Sequence, residues 1–241
     1  MANKIKDFFK KFVELLTPTG VTCVNCGKEI FKGSLCESCS KEFFKNDKHR
    51  CVRCSRPTVS CDDVVCEQCK KMGDTYYDKA FSPLVYTGVT LGLIRKYKYD
   101  ERRDIGVFLS DFMVEEYSSV PKVDLIIPVP MWGKKYQNRL YSTADELARL
   151  VSDKVGVEYC HDLVLKTRDT GTQTKLSGTE RLENVKGSFR VKRRSYTKDK
   201  SILIIDDVFT TGATANEVAR VLKGAGASKV YVLTSAIAIK R

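Results

Sequence analysis

The chain has 241 residues, of which 42% are hydrophobic, and its 42 Lys and Arg against 30 Asp and Glu give a formal net charge of +12. With a mean hydropathy of −0.28, this composition excludes a largely disordered chain. No apolar run approaches the roughly 18 residues that a membrane-spanning helix needs. The N-terminal stretch is too short and too charged for a secretory signal, so we expect a cytoplasmic protein without a transmembrane segment.

Residues 1–20 are predicted to form an amphipathic helix. Apolar side chains recur at three- and four-residue steps over residues 3–16, and Pro18 ends the pattern. The apolar face of such a helix needs a cover. Packing against the following module or a partner protein is favoured, and binding to a membrane surface through the lysines of this segment is the alternative.

Nine of the ten cysteines lie between Cys23 and Cys69, which marks a separate small module over residues 21–75. Eight of them form Cys-x-x-Cys pairs, which combine into two sets of four. The sets are Cys23, Cys26, Cys36 and Cys39, and then Cys51, Cys54, Cys66 and Cys69. This spacing is typical of zinc ions that are each held by four thiolates.

The two sets also form an internal repeat, because CVNC matches CVRC and CESC matches CEQC. The repeat favours one metal ion per set, while a cross-braced arrangement stays open. Disulfides are the weaker alternative, since cytosolic thiols are kept reduced. A zinc ion with four thiolates has no open coordination position, so both ions are predicted to be structural. Cys61 has no counterpart and is left unliganded. The basic residues around the ligands, such as Arg53 and Arg56, could contact nucleic acid, and a solvated charged face is the favoured interpretation.

Residues 76–241 are predicted to form an α/β domain. Short buried strands are expected at 80–86, 124–130, 201–206 and 229–239, and helices at 90–98, 105–118, 143–155 and 214–224. This alternation predicts a mostly parallel sheet with helices on both faces. Such folds bind ligands beyond the carboxyl ends of the strands. The basic segment 191–200 is predicted to be an exposed hairpin.

Two adjacent carboxylates, Asp206 and Asp207, follow the apolar run ILII, and a turn with several hydroxyl groups leads from them into the last helix. The turn consists of Thr210, Thr211, Gly212, Ala213 and Thr214. Carboxylates can accept hydrogen bonds from a vicinal diol, and such a turn at a helix N-terminus can bind phosphate. The segment therefore predicts a sugar-phosphate site. The alternative is that the aspartates only end the strand and the threonines only cap the helix.

As a whole, ILIIDDVFTTGAT resembles the phosphoribosyl pyrophosphate (PRPP) loop of type I phosphoribosyltransferases. The double cysteine unit, IIPVP at 126–130, the block at 167–189 and the final helix are similar to the ComF family of competence-associated, phosphoribosyltransferase-like proteins. This resemblance covers essentially the whole chain. It implies a type I phosphoribosyltransferase-like domain over 76–241, preceded by a small zinc-binding module.

The resemblance also implies roles for single residues. Asp206 and Asp207 would be the catalytic pair that binds the ribose hydroxyls of PRPP, and residues 210–214 would bind its 5′-phosphate. Pro128 and Val129 would occupy the pyrophosphate-loop position, and magnesium would bridge pyrophosphate and ribose. The further PRPP-binding candidates are Arg139, Gln173, Arg181 and Asn184. Lys98, together with Arg139 and Arg181, is a candidate to neutralise pyrophosphate, and surface residues are the alternative for each.

One departure from the family is clear. The family usually has Arg-Gly-Phe-Asn-Gln after the pyrophosphate loop, whereas here Arg139 is followed by Leu-Tyr-Ser-Thr. Both amides are missing, which indicates either a different acceptor or PRPP binding without turnover.

The function implied by the resemblance is a cytosolic protein that binds PRPP and takes part in natural competence by handling incoming single-stranded DNA. It would be a magnesium-dependent phosphoribosyltransferase with an unidentified acceptor. The alternative is a catalytically inactive PRPP sensor or scaffold that acts as an adaptor for DNA or protein. The expected partners are PRPP, single-stranded DNA and other DNA-uptake proteins, such as a translocating ATPase.

Overall fold

The computed structural model describes residues 21–47, 49–59, 64–132, 141–170 and 178–239. Contacts divide the chain into two compact units, residues 1–43 and 44–241, called here the first unit and the second unit. The predicted N-terminal helix lies outside the described residues. The predicted domain boundaries after residues 20 and 75 stay predictions.

The first unit is built around its four cysteines. Strands β1 (Val21–Thr22) and β2 (Glu29–Ile30) pair antiparallel on either side of the first Cys-x-x-Cys turn. Helix α1 (Glu37–Lys41) starts directly after Cys36 and carries Cys39 on its buried side. Both pairs of thiols are therefore presented by short, locally determined turns.

The second unit begins with the second set of cysteines and continues as alternating strands and helices. Its first half contains α2 (Glu67–Met72), β3 (Lys79–Phe81), β4 (Leu84–Val85), α3 (Gly88–Tyr99), α4 (Arg103–Tyr117), β5 (Leu125–Pro128) and α5 (Thr143–Val155). Its second half contains β6 (Val164–Lys166), α6 (Gly178–Val185), β7 (Phe189–Val191), α7 (Arg194–Thr197), β8 (Ser201–Phe209), α8 (Ala213–Gly224) and β9 (Lys229–Ile237). None of the described helices has the length and apolar composition of a membrane span.

A five-stranded parallel sheet forms the centre of the second unit. Strand β9 pairs with β3 and β4 on one side and with β8 on the other, and β8 pairs with β5. The middle of β8, residues 202–205, is completely buried, as expected for a strand covered on both faces.

Helices cover both faces of this sheet. Ile202 and Ile204 pack in one apolar cluster with Val218 and Leu222 of α8. Because side chains alternate along a strand, the residues between them face the opposite side, where α5 packs on β5 and β8, and α4 packs on α5. The predicted parallel sheet with helices on both faces is confirmed.

The element bounds differ from the sequence predictions in two informative places. The strand predicted at 80–86 is split into β3 and β4, and Pro83, which has no N–H to donate to a ladder, lies at the break. The hairpin predicted for 191–200 is wrong, because this segment contains the short helix α7 and β7 pairs antiparallel with β6 instead. Its basic side chains Lys192 and Arg193 form ion pairs with Asp162.

Candidate functional site

The carboxyl end of β5 lies beside Ile205 of β8 and brings two predicted site segments together. Pro128 is in register with Ile205, and the Val129 N–H donates to the Ile205 carbonyl at 2.8 Å. Pro128 and Val129, predicted at the pyrophosphate-loop position, therefore lie beside the part of β8 that leads directly into Asp206. The candidates Arg139 and Gln173, and the side chain of Arg181 in α6, lie outside the described residues.

The carboxylate of Asp207 is buried and already has two partners. Its Oδ1 lies 2.5 Å from Lys98 Nζ in an ion pair, and its Oδ2 accepts a hydrogen bond from Thr143 Oγ1 at 2.7 Å. Burial opposes the charge of Lys98, but the nearby carboxylates of Asp207 and Asp206 raise its pKa above the ordinary value. The structure thus gives Lys98 a partner within the protein. Since a carboxylate oxygen has two lone pairs, Asp207 can still accept a hydrogen bond from a ligand.

The hydroxyl of Thr143 explains part of the departure from the family pattern. Ser142 and Thr143 follow Tyr141 where the family has its two amides, and Ser142 Oγ caps helix α5 by accepting from the Asp145 N–H at 3.3 Å. Thr143, the next residue, donates to Asp207. In this chain Ser142 therefore caps helix α5, and Thr143 orients the Asp207 carboxylate.

Asp206 faces the other side of the sheet, because adjacent residues of a strand alternate. It borders a cavity at the end of β8. The cavity is lined by Asp206, Val208, Phe209, Thr210, Gly212, Ala213, Thr214, Ala215 and Thr234. Burial, together with the negative charge of Asp207, raises the pKa of Asp206 to about 7, although Lys98 and the Asp207 N–H act in the opposite direction. Asp206 therefore changes its charge near neutral pH.

The turn between β8 and α8 depends on Gly212, whose φ of 82° is in the left-handed region. Helix α8 begins at the next residue, and the N–H groups of a first helical turn have no partner within the helix. They lie at the edge of the cavity that Asp206 borders. Thr211 Oγ1 accepts from the Ala213 N–H at 3.3 Å, so one of the threonines also stabilises the turn itself. The residues predicted to bind a 5′-phosphate thus form a turn at a helix N-terminus, which is a kind of turn that can bind an anion.

Replacing Gly212 by alanine should distort this turn. A Cβ at Gly212 would lie 2.6 Å from Phe209 Cζ, so the Phe209 ring, which is buried and packs edge-on against Tyr77, would have to shift. A left-handed φ costs a residue with a Cβ about 1–2 kcal/mol, and overpacking adds about 1–3 kcal/mol. Denaturant unfolding should show a free energy of unfolding that is lower by the sum of these two costs. Gly224→Ala is the control at the other end of α8, where a Cβ meets nothing within 4 Å, and it should be neutral or slightly stabilising. Equal losses of unfolding free energy in both variants would contradict a special role of Gly212.

The eight cysteines form two clusters that fit zinc. Within each set the four Sγ atoms lie within 4.8 Å of one another, and the separation is 3.7 Å for Cys54 and Cys66 and 3.9 Å for Cys51 and Cys69. A tetrahedral zinc ion with Zn–S bonds of about 2.3 Å separates its sulfurs by about 3.8 Å, whereas a disulfide has an S–S bond of about 2.05 Å. Either cluster could hold a zinc ion, and the thiols group by set rather than in a cross-braced pattern. Cys61 lies outside the described residues.

The second cluster is part of the apolar core of the second unit. Cys51, Cys54 and Cys69 are 1% exposed and pack in the cluster that contains Tyr77 and Phe209. The turn at residues 51–56, called here the knuckle, is attached to β3 by backbone hydrogen bonding from the Ala80 N–H to the Arg53 carbonyl at 2.9 Å. A metal ion at this cluster would therefore connect the knuckle with α2 inside the core.

Two further side chains near the site have definite partners. Arg56 of the knuckle is 9% exposed, and it donates to the carbonyl of Thr210 in the turn after β8. The expected solvated position of this arginine is therefore wrong, because the residue is buried and two of its guanidinium nitrogens donate to main-chain carbonyls. Asn184 Nδ2 donates to the Thr170 carbonyl at 2.7 Å, so this amide holds the chain that leads towards α6. The part of Asn184 in PRPP binding stays a prediction.

Comparisons with known proteins agree with this architecture. Residues 141–240 match the family described as phosphoribosyl transferase domain. The chain is 28% identical to DNA utilization protein YhgH of Shigella flexneri over 78% of this chain and 84% of that protein. It is 28% identical to competence protein ComFC of Streptococcus pneumoniae over 76% of this chain and 78% of that protein. It is 30% identical to competence protein F of Haemophilus influenzae over 45% of this chain and 48% of that protein.

Solved structures also align with parts of the chain. A glutamine PRPP amidotransferase from B. subtilis aligns with a TM-score of 0.38 and 20% identity, over 54% of this chain and 26% of that chain. An adenine phosphoribosyltransferase aligns with a TM-score of 0.36 and 14% identity, over 62% of this chain and 75% of that chain.

The parallel sheet, the turn after β8 and the match over residues 141–240 define a protein with a phosphoribosyl transferase domain. The first cysteine cluster belongs to the first unit and the second cluster to the second unit, and together the two clusters fit a double zinc ribbon. With relatives named DNA utilization protein YhgH, competence protein F and ComFC, the predicted resemblance to the ComF family is confirmed.

Proposed function

We propose that this protein binds PRPP at the carboxyl ends of β5 and β8. The observation that carries the proposal is that Asp206 and the turn at Gly212 border the same cavity. The Asp206 carboxylate would accept hydrogen bonds from the ribose hydroxyls, and the first turn of α8 would hold the 5′-phosphate. Pro128 and Val129, at the end of β5 and beside Ile205 of β8, would border the pyrophosphate.

Magnesium fits the donors at this position. Asp206 would supply carboxylate oxygens beside the phosphates of PRPP, and such oxygens are the ligands that Mg²⁺ prefers. When bound, the ion would neutralise charge on the pyrophosphate as it leaves. The part of Lys98 would be to orient the buried Asp207 carboxylate through their contact of 2.5 Å.

The reaction proposed is phosphoribosyl transfer to a nitrogen nucleophile, with release of pyrophosphate. The alternative is a PRPP-binding adaptor without turnover, and it is favoured by Ser142 and Thr143 at the positions where the family has amides, since Thr143 is engaged by Asp207. A pyrophosphate-release assay across a panel of nitrogen bases and amines separates the two. Release with any acceptor supports the enzyme, and PRPP binding without release supports the adaptor.

The biological role that we propose is the handling of incoming single-stranded DNA in the cytoplasm during natural competence. The names of the relatives, DNA utilization protein and competence protein, and the formal charge of +12 support it. Direct binding to DNA phosphates predicts an affinity whose logarithm falls linearly with the logarithm of the salt concentration. An oligonucleotide titration at several salt concentrations tests this, and a flat dependence would argue against it. A translocating ATPase or another DNA-uptake protein is the proposed protein partner.

The affinity for PRPP should increase with pH near neutrality. With a pKa of about 7, Asp206 is mostly protonated at pH 6 and mostly ionised at pH 8, and only the ionised form accepts hydrogen bonds at both oxygens. If binding requires the ionised form, the apparent affinity should rise about tenfold over this range. Titrations at several pH values measure this. The Asp206→Asn variant shows how much of the pH dependence of the affinity comes from the PRPP phosphates alone. If the variant and the wild type have the same pH profile, Asp206 is not the cause of the pH dependence.

A further inference from the structure

Arg56 is a buried cation in the knuckle. It contacts the turn at residues 210–214, between β8 and α8, which is called here the phosphate-binding turn. Its Nη2 donates to the Thr210 carbonyl at 2.7 Å, and its Nη1 donates to the Ala238 carbonyl at the end of β9. The residue is 9% exposed, and its Nε has no hydrogen-bond partner among the residues that the structure describes. Within the described ranges no carboxylate forms an ion pair with it. A buried charge of this kind is costly unless hydrogen bonds or a nearby anion compensate it.

The second cysteine cluster holds the main chain of Arg56 in place. The Cys51 N–H donates to the Arg56 carbonyl at 2.8 Å, which closes the knuckle. Ser55, between Cys54 and Arg56, has a φ of 59° and is anchored by its hydroxyl, which donates to the Ala80 carbonyl at 2.7 Å. The direction in which Arg56 leaves the knuckle is therefore determined by the cluster and by β3.

Two other contacts join the same part of the chain to the turn. The Met72 methyl group, at the end of α2, lies 3.2 Å from the position that a Cβ on Gly212 would take. The Tyr76 N–H donates to Asn216 Oδ1, on the first turn of α8, at 2.7 Å. The turn is thus contacted from the knuckle, from the helix that carries Cys69 and from the segment that follows this helix.

We infer that Arg56 is a positioning residue of the phosphate-binding turn, and that the second cysteine cluster is part of the PRPP site because it holds Arg56. The inference rests on the proposed function, in which this turn binds the 5′-phosphate. Arg56 acts through the main chain of Thr210: it fixes the carbonyl of that residue, and its charge favours an anion at the adjacent helix terminus. The cysteines do not touch the ligand in this arrangement.

The test compares Arg56→Gln and Arg56→Lys with Arg53→Gln. Arg53 belongs to the same knuckle and also donates to a carbonyl, that of Gly73 at 2.6 Å, but it does not contact the turn. Zinc content and melting temperature show that each variant is folded. Hydrogen exchange of the amides at residues 209–216 reports the turn without ligand, and calorimetric titration with PRPP and Mg²⁺ reports binding.

Arg56→Gln should retain its zinc, exchange the amides of the turn faster and bind PRPP at least about tenfold more weakly, because hydrogen bonds from a charged donor are lost. Arg56→Lys should recover part of both effects, since it keeps the charge but not the planar fork. If Arg56→Gln fails to fold, the lysine variant carries the same test.

The inference is overturned if the Arg56 variants exchange these amides at the wild-type rate, or if Arg53→Gln accelerates the exchange equally. Absence of PRPP binding by the zinc-loaded wild type would instead refute the proposed function. The exchange measurement would still decide whether Arg56 positions the turn.

Discussion

Cys54→Ser should abolish cooperative folding of the second unit at 25 °C. Cys54 is 1% exposed and packs in the apolar cluster with Tyr77 and Phe209. Structural zinc in small domains contributes about 10–16 kcal/mol that is also folding free energy, whereas whole domains are stable by about 5–15 kcal/mol. The loss of one thiolate from a zinc site inside the core is therefore expected to remove most of the stability. Circular dichroism during thermal unfolding, with zinc analysis, measures this.

Cys26→Ser is the matched control. Cys26 is exposed, and its cluster belongs to the first unit. This variant should lose one zinc ion per chain and keep the main unfolding transition. A Cys54→Ser protein that melts at the wild-type temperature would show that the second cluster does not stabilise the core.

Lys98→Met should destabilise the second unit by about 3–5 kcal/mol, the usual effect of removing one partner of a buried ion pair. The Lys98 and Asp207 side chains are 19% and 11% exposed, and their charged atoms are 2.5 Å apart. The variant leaves the Asp207 carboxylate buried with Thr143 as its remaining hydrogen-bond donor. Denaturant unfolding at neutral pH measures the free energy of unfolding.

Two further variants make this prediction specific. Arg95→Met removes a charge from the exposed side of the same helix and should change the free energy of unfolding by no more than about 0.5 kcal/mol. Adding Asp207→Asn to Lys98→Met removes the unpaired carboxylate and should recover a large part of the loss. A double variant as unstable as the sum of the two single variants would contradict the ion pair as the cause.

Local sequence patterns predicted the elements that depend on neighbouring residues. Helix α5 is found at the predicted residues 143–155, because a Ser cap and an amphipathic repeat determine it locally. The two cysteine clusters also follow from Cys-x-x-Cys spacing. Strand alternation alone explains why Asp206 and Asp207 face opposite sides of the sheet, although the sequence interpretation treated them as one pair.

The partners of the site residues could not be predicted in the same way. Arg56 and Thr210 are 154 positions apart, and Lys98 and Asp207 are 109 positions apart. Such contacts arise only when the knuckle, α3 and β8 pack on one another, and no spacing in the sequence encodes them. Arg56 resembled the other basic residues of the cysteine module, and only its burial distinguishes it.

The most direct test of the account is calorimetric titration of the zinc-loaded protein with PRPP and Mg²⁺, compared with Asp206→Asn. Asp206 is preferable to Asp207, because changing Asp207 alone leaves Lys98 unpaired. Since burial raises the pKa of Asp206, its ionised form is disfavoured in the folded state, and the asparagine variant should be at least as stable as the wild type above pH 7. We expect the wild type to bind PRPP and the variant to bind it at least about tenfold more weakly, because hydrogen bonds to a charged group are lost. No binding by the folded wild type, or equal binding by both proteins, would contradict a PRPP site at the end of β8.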